Sequence, residues 1–258
     1  MKNICVYCTK RRAGSEEHIF ATWLVEMISR DPRGFPAPTL LKIGLRDGRT
    51  REIKGKMRKG KPTIEFTTRR VCHTCNNEWM NRVDERARPI IEPMIQGSNV
   101  VLDRKAQEAL AAWACKTAVS ARYVLDDPVR KEWTDHLHNN ESAIPGWYIW
   151  IGWYEGRLPF SASLHDVSVV PVDAPGGKPG DTPIAEHGVG MTLVVGYLVV
   201  QLLAVDGMTG HHDIGYIPLL PIWPSSGLGL IWPPAHHFDD ESLPVLESRV
   251  GGVRPPRG

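Results

Sequence analysis

The sequence predicts an α+β protein, with helical periodicity confined to the part before residue 143 and a β-rich part from 144 to 258, on three observations. Apolar residues recur at helical spacing in three stretches before residue 125. Glycine and proline, 24 and 21 of 258 residues, fall mostly beyond residue 140, where turns must be frequent. That half also holds runs rich in aromatic and β-branched residues, bounded by Gly, Pro and Asp, which read as strands. With 42% hydrophobic residues the chain can build a sizeable core.

Taken in order, Ser15 is expected to cap a first helix from about Glu16, with Ile19, Phe20, Trp23, Leu24, Met27 and Ile28 on one apolar face and a break at Asp31-Pro32. Trp79, Met80, Val83 and Ala87 predict a second helix, capped by Asn76 or Asn77 and ended by Pro89. A third, over 103–125, carries Leu110, Trp113, Thr117 and Ala121 on its face, with Cys115 as a small core residue. A short helix should follow, with Asp127 as cap and Pro128 at its first position, ending by His138. Strands are expected near 146–155, 160–172, 189–206 and 211–218, forming an antiparallel sheet or small barrel. The aromatic run GWYIWIGWYE fits sheet core better than a base-stacking surface. His211-His212-Asp213 and His236-His237 lack helix spacing or a partnered cysteine and read as surface loops.

Four of the five cysteines form two C-x2-C pairs, Cys5/Cys8 and Cys72/Cys75. The N-terminus has no apolar stretch of secretory length, so a cytoplasmic, reducing setting is expected, where such pairs hold corners of a zinc tetrahedron rather than form disulfides. Unliganded buried thiols and redox chemistry are the competing readings. His73, between two of these cysteines, is expected to be an exposed knuckle residue. The apolar stretch MTLVVGYLVVQLLAV at 191–205 is shorter than a bilayer span and reads as a buried strand pair, with no membrane role.

A net charge of +2 hides an asymmetry, since residues 1–88 carry a net +10 and residues 89–258 a net −8. The stretch 42–70 holds 11 basic residues against 3 acidic ones: Lys42, Arg46, Arg49, Arg51, Lys54, Lys56, Arg58, Lys59, Lys61, Arg69 and Arg70. A solvated basic loop would look the same. A polyphosphate, however, rewards each cationic contact with counterion release, which favours a nucleic-acid partner.

C-x2-C, then an acidic residue followed by His (Glu17-His18), then C-x2-C followed by Asn resembles the zinc-stapled branch of the HNH endonucleases, the ββα-metal nucleases. CVYC, SEEHIFATWL and VCHTCNNEWM are similar to a subgroup found in phage and bacterial genomes, and the resemblance covers residues 4 to 95. It implies a zinc-stapled nuclease domain over 1–95 with the basic insertion at 42–70, a helical connector over 96–143, and a β-rich domain of unknown role over 144–258. It also implies DNA, most simply double-stranded, as substrate.

By position, the resemblance makes His18 the general base that activates water and Glu17 a ligand of one divalent cation, Mg²⁺ or Mn²⁺. Asn76 stands where the family's last ligand lies, while Asn77 could instead hold the His18 imidazole or a phosphate. A zinc closed by four thiolates has no open position for chemistry, so it would be structural. The chain departs from the pattern at Thr67, where the family has its middle Asn, at Asn76, where many members have His, and at Ala21, where relatives have Pro. The sequence leaves open a zinc-stapled nucleic-acid-binding module whose catalysis has decayed, and a phage packaging or structural protein using the fold as a scaffold. A homodimer through the C-terminal half is compatible with either.

Overall fold

The computed structural model describes residues 3–33, 40–44, 50–54, 56–58, 61–124, 129–169, 185–205 and 219–246. The side chains of residues 40–65 lie outside the description, as do those of 165–169, 185–187 and 205.

The first element is a strand, β1 (Ser15–His18), followed by α1 (Thr22–Ser29). This corrects the expected helix start at Glu16. The extended conformation of 15–18 is stabilised by a partner that sequence periodicity cannot see: β6 (Thr67–Val71), which pairs with it antiparallel, His18 opposite Thr67 and Ser15 opposite Val71. The pairing runs on past β1, where the Ile19 amide donates to the Phe66 carbonyl.

Between these strands lie β2 (Leu40–Gly44), β3 (Thr50–Lys54), β4 (Lys56–Arg58) and β5 (Lys61–Glu65). β2 and β3 form one antiparallel pair and β4 and β5 another.

After β6 the chain turns directly into a helix over residues 73–95, made of α2 (His73–Cys75), a π-helical turn (Asn76–Met80) and α3 (Asn81–Ile95). Its cap is neither asparagine: Cys72 is the N-cap, and its Sγ accepts from the Cys75 amide. Nor does Pro89 end it. Pro89 and Pro93 both lie inside α3. An interior proline costs about 3 kcal/mol, and the burial of Ile91, Met94 and Ile95 beyond Pro89 offsets that cost.

Next come β7 (Val100–Leu102), α4 (Arg104–Val124) and α5 (Lys131–Asn140). α4 matches the expected third helix and is buried continuously from Leu110 to Arg122. It is therefore the helix around which the core is built. Cys115 is fully buried on it. The fourth helix is present but is capped at Arg130, whose extended backbone precedes Lys131, and it runs on to Asn140; the expected cap Asp127 and first position Pro128 lie outside the described residues.

The C-terminal half supplies β8 (Trp147–Tyr154), β9 (Phe160–Val169), β10 (Ala185–Val195), β11 (Leu198–Val205), β12 (Leu220–Trp223), β13 (Leu230–Trp232) and β14 (His237–Phe238). β8 to β11 answer three of the four predicted strand segments. The fourth, 211–218, and His211-His212-Asp213 lie outside the described residues, whereas His236 and His237 are exposed. Among the described residues one open sheet runs β12-β8-β11-β10-β9-β2-β3, with β14 on β8. It is antiparallel except where β2 meets β9 and β14 meets β8.

Strand alternation divides β8 between two cores. Trp147, Ile149 and Ile151 join the large core with α3 and α4. Tyr148, Trp150 and Tyr154 face Phe238, Leu243 and Leu246, so the aromatic run is sheet core on both faces. Gly196 makes the β10–β11 hairpin possible, because its φ of +58° is left-handed and a Cβ there would collide with the Ile95 carbonyl. The large core runs from Cys5 to Trp232 and so takes in residues from all three predicted domains. No helix among the described residues is long and apolar enough to cross a membrane.

Candidate metal centre and active-site cleft

Two turns bring the four paired cysteines together. The first begins at Cys5, where the Thr9 amide donates to the Cys5 carbonyl and the Cys5 amide to the Arg11 carbonyl. Thr9, with φ of +53°, reverses the chain just after Cys8. The second turn is the start of the 73–95 helix, and the Val6 amide ties the two by donating to the Arg70 carbonyl on β6.

The result is four Sγ atoms within 4.8 Å of one another, Cys8 and Cys72 being 3.8 Å apart. A tetrahedral zinc with Zn–S bonds near 2.3 Å sets its sulfurs about 3.8 Å apart. The four cysteines therefore fit a structural Zn²⁺ with no room for a fifth partner.

Their acidity fits the same chemistry. Burial works against the Cys8 thiolate, but the Lys10 and Arg11 amides together with hydrogen bonds from Cys5 and Cys72 bring the thiol down to about 7. Burial, reinforced by the neighbouring sulfurs, pushes Cys5 and Cys75 up. A dication among them reverses that repulsion and favours all four thiolates.

Beside this centre, β1, α1 and the 73–95 helix enclose a cleft of about 360 Å³. Glu17, His18 and Asn76 line it, with Trp23, Glu26, Asp84, Glu85 and Arg88. Asn76 uses both of its N–H groups on β1, donating to Ser15 Oγ at 2.8 Å and to the Glu16 carbonyl at 3.2 Å. Its carbonyl oxygen is therefore the acceptor it has to offer. Asn77 is exposed and its amide nitrogen lies 2.8 and 2.9 Å from the two ring nitrogens of His73, itself exposed as expected. The structure thus brings Glu17, His18 and Asn76 to one cleft and turns Asn77 towards His73, between two of the clustered cysteines.

Glu17 and His18 were expected at the first turn of a helix. On a strand, successive side chains point to opposite faces. His18 is half-buried, whereas Glu17 is 3% exposed and reaches inward. There the Nζ of Lys116, on α4 and fully buried, lies 3.5 Å from Glu17 Oε1 and 2.8 Å from Asp84 Oδ2.

Burial is the larger influence on both acids and raises them, Glu17 to about 7, despite the attraction of Lys116. Burial opposes the Lys116 charge, but the two carboxylates overcome it and hold its pKa above the ordinary lysine value.

The sign for stability follows from proton binding. Above about 4.5 the unfolded Glu17 has lost its proton while the folded one keeps it, so stability falls as pH rises towards 7 and then levels off. Asp84 acts in the same direction. Lys116 adds stability that is lost only well into the alkaline range. The expected result is a Glu17→Gln variant whose melting temperature declines less between pH 5 and pH 8 than that of the unsubstituted protein. Parallel pH profiles in thermal melts would contradict it.

The sequence reading missed Asp84 and Lys116. Lys116 left a signal, as the sole charge between Glu108 and Arg122 in an alanine-rich apolar helix. Asp84 left a fainter one, as a carboxylate four residues after Met80 and three before Ala87, beside the apolar face of its helix.

Of the expected nucleic-acid contacts, Arg46, Arg49 and Lys59 lie outside the described residues. Arg51 is on β3, Lys54 ends it, Lys56 and Arg58 are on β4, and Lys61 begins β5, their side chains undescribed. Arg69 and Arg70 are exposed on β6, and Arg69 pairs with Glu16 at 3.2 Å.

Comparison of the chain with models of protein families, with curated proteins and with solved structures finds no match.

Proposed function

We propose that the protein is a metal-dependent endonuclease of the HNH type, hydrolysing DNA phosphodiester bonds at the cleft between β1 and the 73–95 helix. The observation that carries this reading is the order of parts around the cysteine centre. An antiparallel strand pair leads straight into a helix, with His18 on the first strand and Asn76 in the first turns of the helix lining one cleft with Glu17. That is the strand-strand-helix arrangement the sequence resemblance implies. Thr67, standing for the family's middle Asn, is the residue directly across the strand pair from His18. Cross-strand partners share a face of the pair, so Thr67 is the residue we assign to steady the imidazole. The π-helical turn at Asn76–Met80 also supports the reading, since such turns recur at functional sites.

In this mechanism His18 takes the proton from a water that attacks the phosphorus, and the 3′ oxygen departs to leave a 5′ phosphate. Glu17 and Asn76 offer oxygens, the donor type that suits Mg²⁺ or Mn²⁺. When bound, that cation would neutralise the scissile phosphate and the departing oxygen. Arg69, Arg70 and the basic insertion would hold the flanking backbone, a contact that weakens with salt.

The test is plasmid nicking in Mg²⁺ or Mn²⁺ by the protein and by His18→Ala. Loss of the general base is expected to slow cleavage about a hundred- to ten-thousand-fold while leaving the DNA mobility shift intact. Cleavage by neither protein, with shifted DNA for both, would establish the catalytically decayed binding module instead.

A further inference from the structure

Asp84 plays no part in the mechanism above, yet it lines the same cleft as Glu17, His18 and Asn76. It is 9% exposed. Its Oδ2 contacts Lys116 Nζ at 2.8 Å, while Oδ1, also buried, has no hydrogen-bond partner. A buried carboxylate oxygen without a donor carries a desolvation cost and calls for an explanation.

Glu17, from a different element, is pinned on the same Nζ through Oε1 at 3.5 Å. The two carboxylates are therefore held as a pair, no farther apart than those two contacts together allow. Lys116 stands behind the wall of the cleft, fully buried, and engages one oxygen of each carboxylate. The second oxygen of Asp84 is left for another partner. Glu26 and Glu85 add further negative charge to the lining, and Arg88 adds positive charge. Arg88 is already paired with Glu92 at 2.7 Å, so Lys116 is the cation that faces the two buried carboxylates.

We propose that Asp84 is a second carboxylate ligand, beside Glu17, for one divalent cation held in this cleft, and that Lys116 is the positioning residue that fixes the pair. The inference rests on the nuclease reading for the cation's role, but not for its detection. An all-oxygen donor pair selects Mg²⁺ or Mn²⁺ over zinc, which the four thiolates take. Lys116 acts through the carboxylates and touches neither substrate nor cation.

The experiment is a Mn²⁺ titration of the full chain with its zinc retained, bound Mn²⁺ being read from the loss of the free-ion magnetic-resonance signal. The protein is expected to bind one Mn²⁺, and Asp84→Asn to bind it about tenfold or more weakly, the range seen when metal-site residues are altered. Asp84→Glu keeps the charge that Lys116 needs for folding but displaces the oxygens, and is expected to bind several-fold more weakly. Lys116→Arg should retain the affinity. Lys116→Met, measured below its unfolding midpoint, should lower it.

Mn²⁺ affinity unchanged in both Asp84 variants would overturn the ligand assignment, as would no binding by the unsubstituted protein. Unchanged affinity in Lys116→Met would overturn the positioning role. Plasmid cleavage separates this from the nuclease reading. Asp84-dependent Mn²⁺ binding without cleavage leaves the cation site standing and removes the enzyme. Cleavage with Asp84-independent Mn²⁺ binding does the reverse.

Discussion

Purified protein is expected to carry about one zinc per chain, and Cys72→Ala to lose both the zinc and the folded state. Cys72 is 2% exposed and has three jobs. It is one of four clustered sulfurs, it caps the 73–95 helix, and it follows directly on β6, the strand that pairs with β1. Apparent zinc-binding free energies in small cysteine sites run at about 10–16 kcal/mol, comparable with or larger than the roughly 5–15 kcal/mol net stability of a typical domain. Losing a ligand therefore removes most of what closes the 63 residues between the two pairs. Metal analysis and a thermal melt read the outcome directly. A Cys115→Ala control removes a buried thiol outside the cluster and is expected to keep the zinc. A protein without tightly bound zinc, or a Cys72→Ala chain that melts cooperatively at the original temperature, would sink the assignment.

Lys116→Met is expected to destabilise the protein by about 3–5 kcal/mol, the cost of removing one partner from a buried ion pair. The methionine fits the space of the lysine stem, so packing is nearly conserved. What is lost is the single cation shared by Glu17 and Asp84. Two buried carboxylates then face each other and must take up protons or rearrange. Adding Glu17→Gln and Asp84→Asn to Lys116→Met removes the uncompensated charges, and much of the lost stability should return. Denaturant midpoints for the single and triple variants give the comparison. A single variant within about 1 kcal/mol of the parent, the scale of exposed pairs, would show that Lys116 is not the buried counter-ion described.

Much of the architecture was legible because it is local. C-x2-C spacing marks a metal knuckle whatever the rest of the chain does, and the four sulfurs meet as expected. The helical period of 104–124 and the aromatic and β-branched runs of 147–154 and 185–205 express burial on one or two faces, a property each segment carries in itself. Misreadings arose where a distant partner outweighs local preference. Apolar spacing from Ile19 to Ile28 correctly announced a helix but extended it back over Ser15–His18, whose backbone is claimed by a strand some 50 residues later. Pro89 reads locally as a stop, although the apolar face beyond it packs well enough to carry the helix to Ile95.

The candidate site divides along the same line. The sequence alone singled out Cys5, Cys8, Cys72 and Cys75 by their short spacing, and Glu17, His18 and the asparagines as candidates by resemblance. Only the tertiary structure decided where their side chains lie. The period-two alternation of a strand sends Glu17 inward and leaves His18 half-buried. Helix geometry gives Asn76 to the cleft and Asn77 to His73. Lys116 and Asp84, 32 residues apart, meet only because α3 and α4 pack together. Charge pairing across such separations depends on burial and on which helices touch, and neither is written in the order of the residues.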